Sequence, residues 1–196
     1  MKILFLGDKT NLLYKKLKDI ENNIDITSDK LKKEDVKKYN FIISFGYRHI
    51  VKQEIIDLFQ DNNIINLHIS YLPFNRGSDP NLWSILDNTP SGVTIHLLEK
   101  GLDTGNILLQ KRVFFNDEID TLETSYNKLI NEMTELFLEN WELIKNKKII
   151  PIPQDNTKKT LHYLNHRPDY NLLLPNGFQT KIIDIKKIYN LLIKNN

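Results

Sequence analysis

Residues 41–68, FIISFGYRHIVKQEIIDLFQDNNIINLH, contain the pattern that decides the fold of this chain. Two short apolar runs, at 41–45 and 64–67, flank a segment over 51–59 whose apolar residues recur at helical spacing. Successive apolar residues of this kind are typical of strands buried on both faces in parallel sheets. A strand, a helix and a second strand in this order predict a right-handed parallel crossover. The stretch therefore indicates an α/β protein.

The flanking sequence extends this pattern in both directions. Upstream, it predicts a strand over 2–6, a helix over 11–20, a short strand over 24–26 and a Lys-rich helix that Ser28 caps and that runs to Tyr39. Downstream, it predicts a short helix at Pro80, strands over 93–98 and 107–115, a long helix from Asp120 or Thr121 to Ile144, an irregular segment over 154–179 and a last helix over 181–194. We expect a Rossmann-like, mostly parallel sheet with helices on both faces, in which residues 1–150 form the main domain and residues 151–196 an extension packed on it.

The composition is that of an ordinary globular domain, with 196 residues of which 40% are hydrophobic and 27% charged. The 27 Lys and Arg residues nearly balance 25 Asp and Glu, which argues against nucleic acid or an anionic membrane as a partner. The chain has no Cys, which excludes disulfides, thiolate nucleophiles and Cys-ligated metals. The apolar run near the N-terminus is too short for a signal peptide or a membrane span, so a cytoplasmic location is expected.

Three polar residues suggest chemistry at the ends of the predicted strands. Asn66 and His68 are two apart on an extended segment and should project to the same face. An Asn amide can donate to a carbonyl oxygen as it becomes an oxyanion, and an imidazole can move a proton or stabilise the same charge. Asp103 lies between two glycines that permit a tight loop, so it can orient His68 or hold a water. The set suits acyl transfer without a covalent intermediate.

Other interpretations of these and neighbouring residues stay open at the level of spacing. An Asn and a His at a strand end are also common caps of turn backbone. His96 suits either a core histidine or support for the site, and residues 47–49 suit either a solvated loop or a binding loop. Arg76 beside Gly77 can pair with a pyrophosphate or brace its loop. The backbone around Lys9 and Thr10 can receive a phosphate at the start of a helix, although no dinucleotide or P-loop fingerprint is present. No H-E-x-x-H spacing occurs, so no metal is expected.

Several spaced motifs together resemble the formyltransferases that use 10-formyltetrahydrofolate. They are Asn66-x-His68-x-Ser70-x-Leu72-Pro73, Arg76-Gly77, Pro80, Gly92-Val93-Thr94-x-His96 and Leu102-Asp103-Thr104-Gly105. The resemblance is specific over about residues 41–115. The variant NLHISYLPFNRGSDPNLWS, which carries Trp83, is most similar to the sugar N-formyltransferases that act on nucleotide-linked amino sugars.

The resemblance implies roles for particular residues. Asn66, His68 and Asp103 match the family's catalytic trio: the substrate amine would attack the formyl carbon, Asn66 and His68 would stabilise the oxyanion, and Asp103 would help carry a proton to nitrogen 10 of the folate. The residues implied to bind 10-formyltetrahydrofolate are Phe45, Gly46, Tyr47, Arg48, His49, Ile50, Leu97, Leu98, Glu99, Gly101 and Leu102. Those implied to contact the substrate are Lys9, Thr10, Ser70, Arg76, Gly77 and His96.

The resemblance also implies a function with stated alternatives. We expect a cytoplasmic enzyme that formylates the amine of a nucleotide-linked amino sugar, as a step towards a surface glycan such as lipopolysaccharide. Its expected partners are small molecules, with no nucleic acid and no membrane, and a homodimer is one option. The chain length leaves no room for the additional domains of methionyl-tRNA formyltransferases or formyltetrahydrofolate hydrolases. The alternatives are a glycinamide ribonucleotide formyltransferase and a folate- or sugar-nucleotide-binding protein without turnover.

Overall fold

The computed structural model describes residues 1–59 and 63–194, which form two compact units interleaved along the chain. Unit 1 consists of residues 1–68, 94–109 and 133–154, and unit 2 of residues 69–93, 110–132 and 155–196. The expected organisation into residues 1–150 and an extension over 151–196 stays a prediction.

The strands and helices follow one another in an α/β order. The strands are β1 (Ile3–Leu6), β2 (Ile24–Thr27), β3 (Phe41–Phe45), β4 (Ile64–His68), β5 (Arg76–Gly77), β6 (Gly92–Leu97), β7 (Ile107–Arg112) and β8 (Leu161–His162). The helices are α1 (Leu12–Ile20), α2 (Lys33–Val36), α3 (Gln53–Ile56), α4 (Pro80–Leu86), α5 (Leu122–Lys145), α6 (Tyr170–Leu173) and α7 (Ile182–Lys194).

A six-stranded sheet with the order β2-β1-β3-β4-β6-β7 organises the strands of unit 1. The first four strands are parallel, whereas β6 runs antiparallel to β4. Strands β1 and β3 are buried along their whole length, as expected for strands that are covered on both faces. The predicted mostly parallel sheet is therefore confirmed.

Helices cover both faces of this sheet, as predicted. On one face, Leu4 and Ile42 pack in a cluster with Val36 of α2 and Ile55 of α3. On the other face, the ring of Phe5 lies 5.5 Å from that of Tyr14 in α1. The ring of Phe41 meets that of Trp141 in α5 edge-on at the same separation. Alternation along each strand thus divides the apolar residues between the two layers of helices.

Three predicted elements are shorter than expected. The helix predicted from Ser28 to Tyr39 is wrong in its first part, because the structure forms only α2 there. The Tyr47 hydroxyl donates to the carbonyl of Asp29 at 2.7 Å and accepts from the backbone N–H of Leu31 at 3.1 Å, so these backbone groups serve a tertiary contact instead of a helix. Likewise, the helix predicted over 51–59 is only the four residues of α3, and the strand predicted over 107–115 ends with β7 at Arg112.

The long helix is confirmed. It begins at Leu122, directly after the predicted cap, where Thr121 Oγ1 accepts the backbone N–H of Thr124 at 3.1 Å. Phe137 and Trp141 are buried on its apolar side. The Trp141 indole N–H donates to Glu21 Oε1 at 2.7 Å, and Lys145 Nζ binds the same oxygen at 2.9 Å. The C-terminal part of α5 is therefore tied to the end of α1 through one carboxylate.

This carboxylate predicts an acid-sensitive contribution to stability. Burial disfavours its charge, but hydrogen bonds from Lys145 and Trp141 outweigh that effect and hold the pKa of Glu21 below its ordinary 4.5. A carboxyl whose pKa is lower in the folded state stabilises the fold above its unfolded pKa, and this stabilisation is lost as the pH falls through the folded pKa. We expect Glu21→Gln to lower the free energy of unfolding at pH 7 by about 1–2 kcal/mol.

Urea unfolding followed by circular dichroism at several pH values measures this effect. The difference between wild type and Glu21→Gln should begin to shrink below pH 4.5, where Glu21 of the unfolded chain becomes protonated, and should be lost as the pH falls through the lower pKa of the folded protein. Glu139→Gln, which neutralises an exposed carboxylate of α5, is the control and should change stability little. An equal loss of stability at all pH values would contradict the assignment.

Unit 2 contains a two-stranded sheet and the helices α4, α6 and α7. Strand β5 pairs in parallel with β8, which lies in the segment predicted to be irregular. The ring of His162 stacks on Trp83 of α4 with centroids 3.9 Å apart, and its Nε2 lies 2.8 Å from Asp87 Oδ2. Helices α4, α6 and α7 share an apolar cluster that includes Leu82, Leu173 and Ile185. No helix among the described residues of either unit is long and apolar enough to cross a membrane.

Candidate active site

The site forms in unit 1 where β4 and β6 run side by side. In their antiparallel register, Asn66 lies opposite His96, and His68, the last residue of β4, lies opposite Thr94. Side chains directly opposite each other on one face of a sheet are close enough to interact. His68 and His96 are 7% and 2% exposed, whereas Asn66 is half-buried. Two imidazoles and an amide are thereby placed in a largely dry environment.

The turn between β6 and β7 supplies the carboxylate. Asp103 has φ 51°, in the left-handed region, and Gly101 has φ 113°. The Thr104 hydroxyl donates to the carbonyl of Lys100 at 3.0 Å. A Cβ on Gly105 would overlap the carbonyl oxygen of Leu97, so only glycine permits the chain to fold back this closely onto β6. The turn thus returns the Asp103 side chain to the sheet.

The three predicted catalytic residues lie together. Asn66 Nδ2 donates to Asp103 Oδ1 at 3.0 Å, and His68 Nδ1 lies 3.6 Å from Asp103 Oδ2. His96 Nε2 lies 3.4 Å from Asp103 Oδ1. A separation of 3.6 Å is an ion-pair distance and is longer than a hydrogen bond, which is common at catalytic groups before substrate arrives. The structure brings these side chains to one carboxylate, while their catalytic roles stay predictions.

His96 determines how the Asn66 amide is used. Its Nδ1 lies 2.7 Å from the carbonyl oxygen of Leu97, and because a carbonyl only accepts, Nδ1 carries the proton. In the neutral ring, Nε2 is then an acceptor, and Asn66 Nδ2 lies 3.2 Å from it. In that form of His96, one amide proton of Asn66 serves His96 and the other serves Asp103. An arriving oxygen atom must replace one of these two acceptors.

Gln154 is a site residue that the sequence analysis did not identify. Its side-chain amide donates to the backbone carbonyls of Asp103 and Gly105, at 2.9 Å and 2.7 Å. It directly follows the segment Pro151-Ile152-Pro153, whose prolines indicate only the end of regular structure. A polar residue after two conformationally restricted prolines was the available signal, but its partners lie about 50 residues away in sequence and could not be inferred from spacing.

The residues expected to bind the formyl donor are the last residues of β3 and β6, Phe45 and Leu97, together with residues of the two loops that follow these strands. One loop follows β3 and contains Gly46 with φ 72°, and the other follows β6. Tyr47 and Leu98, one from each loop, pack against the same apolar cluster. Burial raises the pKa of the Tyr47 hydroxyl. This hydroxyl is hydrogen-bonded to the backbone of Asp29 and Leu31. Arg48, His49, Ile50, Glu99 and Gly101 are exposed, Leu102 is half-buried, and Phe45 and Leu97 are buried. The roles of these residues in binding stay predictions.

The residues expected to contact the substrate are divided between the two units. Lys9, Thr10 and His96 belong to unit 1, where the Thr10 backbone N–H and hydroxyl both donate to Asp8. The bond from this hydroxyl, followed by that from the N–H, holds the pKa of the Asp8 carboxyl below its ordinary value. The Asp8 carboxylate thus accepts the Thr10 backbone N–H, which is one of the groups predicted to receive a phosphate.

Ser70, Arg76 and Gly77 belong to unit 2. The Ser70 hydroxyl donates to the carbonyl of Phe74 at 2.8 Å. Arg76 is 4% exposed, and its guanidinium donates to Asn156 Oδ1 at 2.8 Å. These contacts are those of a loop brace, which was one of the two interpretations of Arg76. Substrate binding by these three residues stays a prediction.

The family model described as formyl transferase matches residues 7–140 of this sequence. The chain belongs to the formyl transferase family. The matched region includes Asn66, His68, His96 and Asp103, whereas Gln154 lies beyond it. Within residues 1–59 and 63–194, no cluster of three or more His, Asp or Glu side chains is arranged to hold a metal ion.

A formyl transferase of solved structure matches this chain over nearly the full length of both proteins. It is the formyltransferase PseJ from Anoxybacillus kamchatkensis, in complex with UDP-4,6-dideoxy-4-formamido-L-AltNAc and tetrahydrofolate. The two sequences are 41% identical, the TM-score is 0.88, and the match covers 96% of this chain and 100% of PseJ. The N-formyltransferase from Helicobacter canadensis, in complex with folinic acid and dTDP-3-aminofucose, is 20% identical with a TM-score of 0.76 and shares the fold.

Methionyl-tRNA formyltransferases are also relatives, over part of their length. The enzyme of Thermodesulfovibrio yellowstonii is 39% identical over 115 residues, which are 58% of this chain and 37% of that enzyme. The enzyme of Clostridium novyi is 32% identical over 148 residues, which are 71% of this chain and 47% of that enzyme. The match to this chain thus spans less than half the length of each of these relatives.

Proposed function

We propose that this formyl transferase moves the formyl group of 10-formyltetrahydrofolate to the amine of a nucleotide-linked amino sugar. The observation that carries the proposal is the convergence of Asn66, His68 and Asp103 in unit 1, in a chain without Cys. The substrate class is supported by the similarity to PseJ, whose complex holds a UDP-linked formamido sugar and tetrahydrofolate. These two molecules are what remains after a formyl group has passed from folate to an amino sugar.

In the proposed reaction, the sugar amine attacks the formyl carbon, and the carbonyl oxygen gains negative charge. Asn66 Nδ2 is placed to donate to this oxygen, which would replace His96 Nε2 or Asp103 Oδ1 as acceptor. His68 lies on the same side of β4, so a charged imidazole can stabilise the same oxygen. A donor that is oriented before the reaction costs no reorganisation when the charge develops.

Proton transfer completes the balance of the reaction. A carbon–nitrogen bond forms to the sugar, the bond between the formyl carbon and nitrogen 10 breaks, and one proton passes from the amine to nitrogen 10. In our proposal the Asp103 carboxylate, directly beside Asn66 and near His68, accepts the amine proton through water, or through His68 when its imidazole is neutral, and the same proton is then delivered to nitrogen 10. Nitrogen 10 then leaves as a neutral amine.

A steady-state assay for tetrahydrofolate release with a panel of acceptors tests the proposal. The panel contains UDP-, dTDP- and GDP-linked 3- and 4-amino-deoxysugars, glycinamide ribonucleotide, initiator methionyl-tRNA and water. We expect turnover with one nucleotide-linked amino sugar, first of all a UDP-linked 4-amino sugar. Turnover only with the ribonucleotide or the tRNA would contradict the proposed substrate. Folate binding without turnover on any acceptor would indicate a binding protein.

The cellular role is part of the same proposal. Formylation of a nucleotide-linked sugar in the cytoplasm would supply a formamido sugar to a surface glycan such as lipopolysaccharide. Deletion of the gene should then remove the formyl mass from that glycan in mass spectra, and a copy with Asn66→Ala should fail to restore it. A homodimer also stays a proposal, which light scattering of the purified protein would test.

A further inference from the structure

We infer that Gln154 is a positioning residue that holds the Asp103 turn in its reactive shape. The two protons of its side-chain amide are donated to the carbonyls of Asp103 and Gly105, at 2.9 Å and 2.7 Å. These carbonyls lie on either side of Thr104. One planar group thus joins both ends of the segment that presents the proposed catalytic carboxylate. Gln154 is 8% exposed, so water competes little for the two carbonyls.

The turn needs such a restraint because its backbone is strained. Asp103 has φ 51°, a left-handed conformation that a non-glycine residue adopts at a cost unless its surroundings enforce it. The Asp103 carboxylate receives the Asn66 amide at 3.0 Å and stands 3.6 Å from His68. A change in the backbone angles of Asp103 would move the carboxylate relative to both partners. The shape of the turn therefore sets the geometry of the trio.

The segment before Gln154, residues 151–153 of unit 1, is restrained by backbone hydrogen bonds and by two prolines. Ile152 exchanges two backbone hydrogen bonds of 2.8 Å with Ile107, the first residue of β7. Pro151 and Pro153 flank Ile152, and proline fixes its own φ angle and lacks an N–H that would need a partner. The segment therefore lies along the start of β7, close to the end of the Asp103 turn. We call the two hydrogen bonds from Gln154 to the turn the clamp. The segment that carries Gln154 is thus bonded to β7, the strand that follows the turn.

This role rests on the proposed function and predicts a specific kinetic effect. A residue that positions a catalytic group, without touching substrate, should affect kcat and leave KM nearly unchanged. Outer partners of metal ligands typically contribute about 10- to 100-fold to activity, and Gln154 orients a reactive carboxylate in a comparable way. We expect Gln154→Leu, which keeps the volume and removes both donors, to lower kcat by about that factor. Gln154→Glu keeps the size and replaces the donating amide by oxygen, so it should lower kcat at least as much.

Combination with Asp103→Asn tests whether Gln154 acts through Asp103. If it does, Gln154→Leu should have little further effect on the single-turnover rate constant of a protein that already carries Asp103→Asn. Gln179→Leu removes an amide of the same type from an exposed position in unit 2 and should leave kcat unchanged. Should Gln154→Leu fail to fold, Gln154→Glu provides the same comparison. Equal effects in both backgrounds, or a rise in KM alone, would overturn the inference.

The side-chain amide resonances of Asn66 separate this inference from the proposed function. They report the contact with Asp103 by NMR without turnover, and Asn66→Asp identifies them. If the wild-type protein formylates no acceptor, the proposed function fails, while a shift of the Asn66 resonances in Gln154→Leu, absent in Gln179→Leu, still supports the clamp. Unchanged Asn66 resonances together with an unchanged kcat would show that Gln154 does not position the turn.

Discussion

Replacement of Asn66 by alanine is expected to lower kcat for formyl transfer by about 10²- to 10³-fold, the usual effect of losing one oxyanion donor. Nδ2 of Asn66 is held 3.0 Å from Asp103 Oδ1 and 3.2 Å from His96 Nε2, so its orientation is set before the substrate arrives. Alanine removes this donor and also leaves Asp103 without one hydrogen bond. Tetrahydrofolate release at saturating donor and acceptor measures the change in kcat.

Two variants separate loss of the donor from loss of packing. Asn66→Asp keeps the side-chain shape but replaces the amide with a second carboxylate beside Asp103, so its kcat should fall at least as far. Asn140→Ala removes an amide from α5 that donates to the carbonyl of Leu136, and should leave kcat within about twofold of wild type. A kcat near the wild-type value in Asn66→Ala would refute the assignment of Asn66.

Replacement of Asp103 by asparagine is expected to lower kcat by about 10²- to 10⁴-fold, the range for loss of a proton-transferring group. The substitution keeps the size of the side chain and its place on the turn. However, an asparagine cannot take up the amine proton. If its Nδ2 replaced Oδ1 of Asp103, two donors would also face each other, this Nδ2 and that of Asn66. The effect should appear in kcat, with KM for both substrates nearly unchanged, because the proposed role lies in the transition state.

The control for Asp103→Asn is the same substitution at an exposed carboxylate of unit 1. Asp57, which accepts the side-chain amide of Gln53 at 2.7 Å, is suitable, and Asp57→Asn should retain wild-type kcat. Far-UV circular dichroism should show that both variants are folded. If Asp103→Asn raised KM while kcat stayed constant, Asp103 would be a binding residue and the proposed proton path would be wrong.

Much of the fold follows from sequence periodicity. Strands β1 and β3 are almost entirely apolar, because helices cover both of their faces, and β1, β3 and β4 pair in parallel. Helix α5 was also predictable, since its apolar residues recur at helical spacing over 24 residues. Prediction was less accurate for α2, where local spacing favours a longer helix but the tertiary contact of Tyr47 binds the backbone at 29–31. Helix α3 is also shorter than its spacing predicts.

Part of the candidate site could also be predicted from the chain alone. The two-residue spacing of Asn66 and His68 on a strand, together with a carboxylate in a glycine-flanked turn, indicated one cluster of polar groups. The motif resemblance to formyltransferases then predicted the chemistry of these residues, and the family match confirms the resemblance itself. These features are local, so a short stretch of sequence is sufficient to specify them.

Only the tertiary structure decided how these groups are held. The antiparallel pairing of β6 with β4 places His96 opposite Asn66, and this register determines which acceptors the Asn66 amide serves. The clamp of Gln154 on the Asp103 turn joins residues 51 positions apart in sequence. Neither contact leaves a periodic trace, because each depends on where separate segments meet after folding. The sequence by itself thus determined that Asn66, His68 and Asp103 are grouped in one site, whereas tertiary packing determined their orientation and brought Gln154 to them.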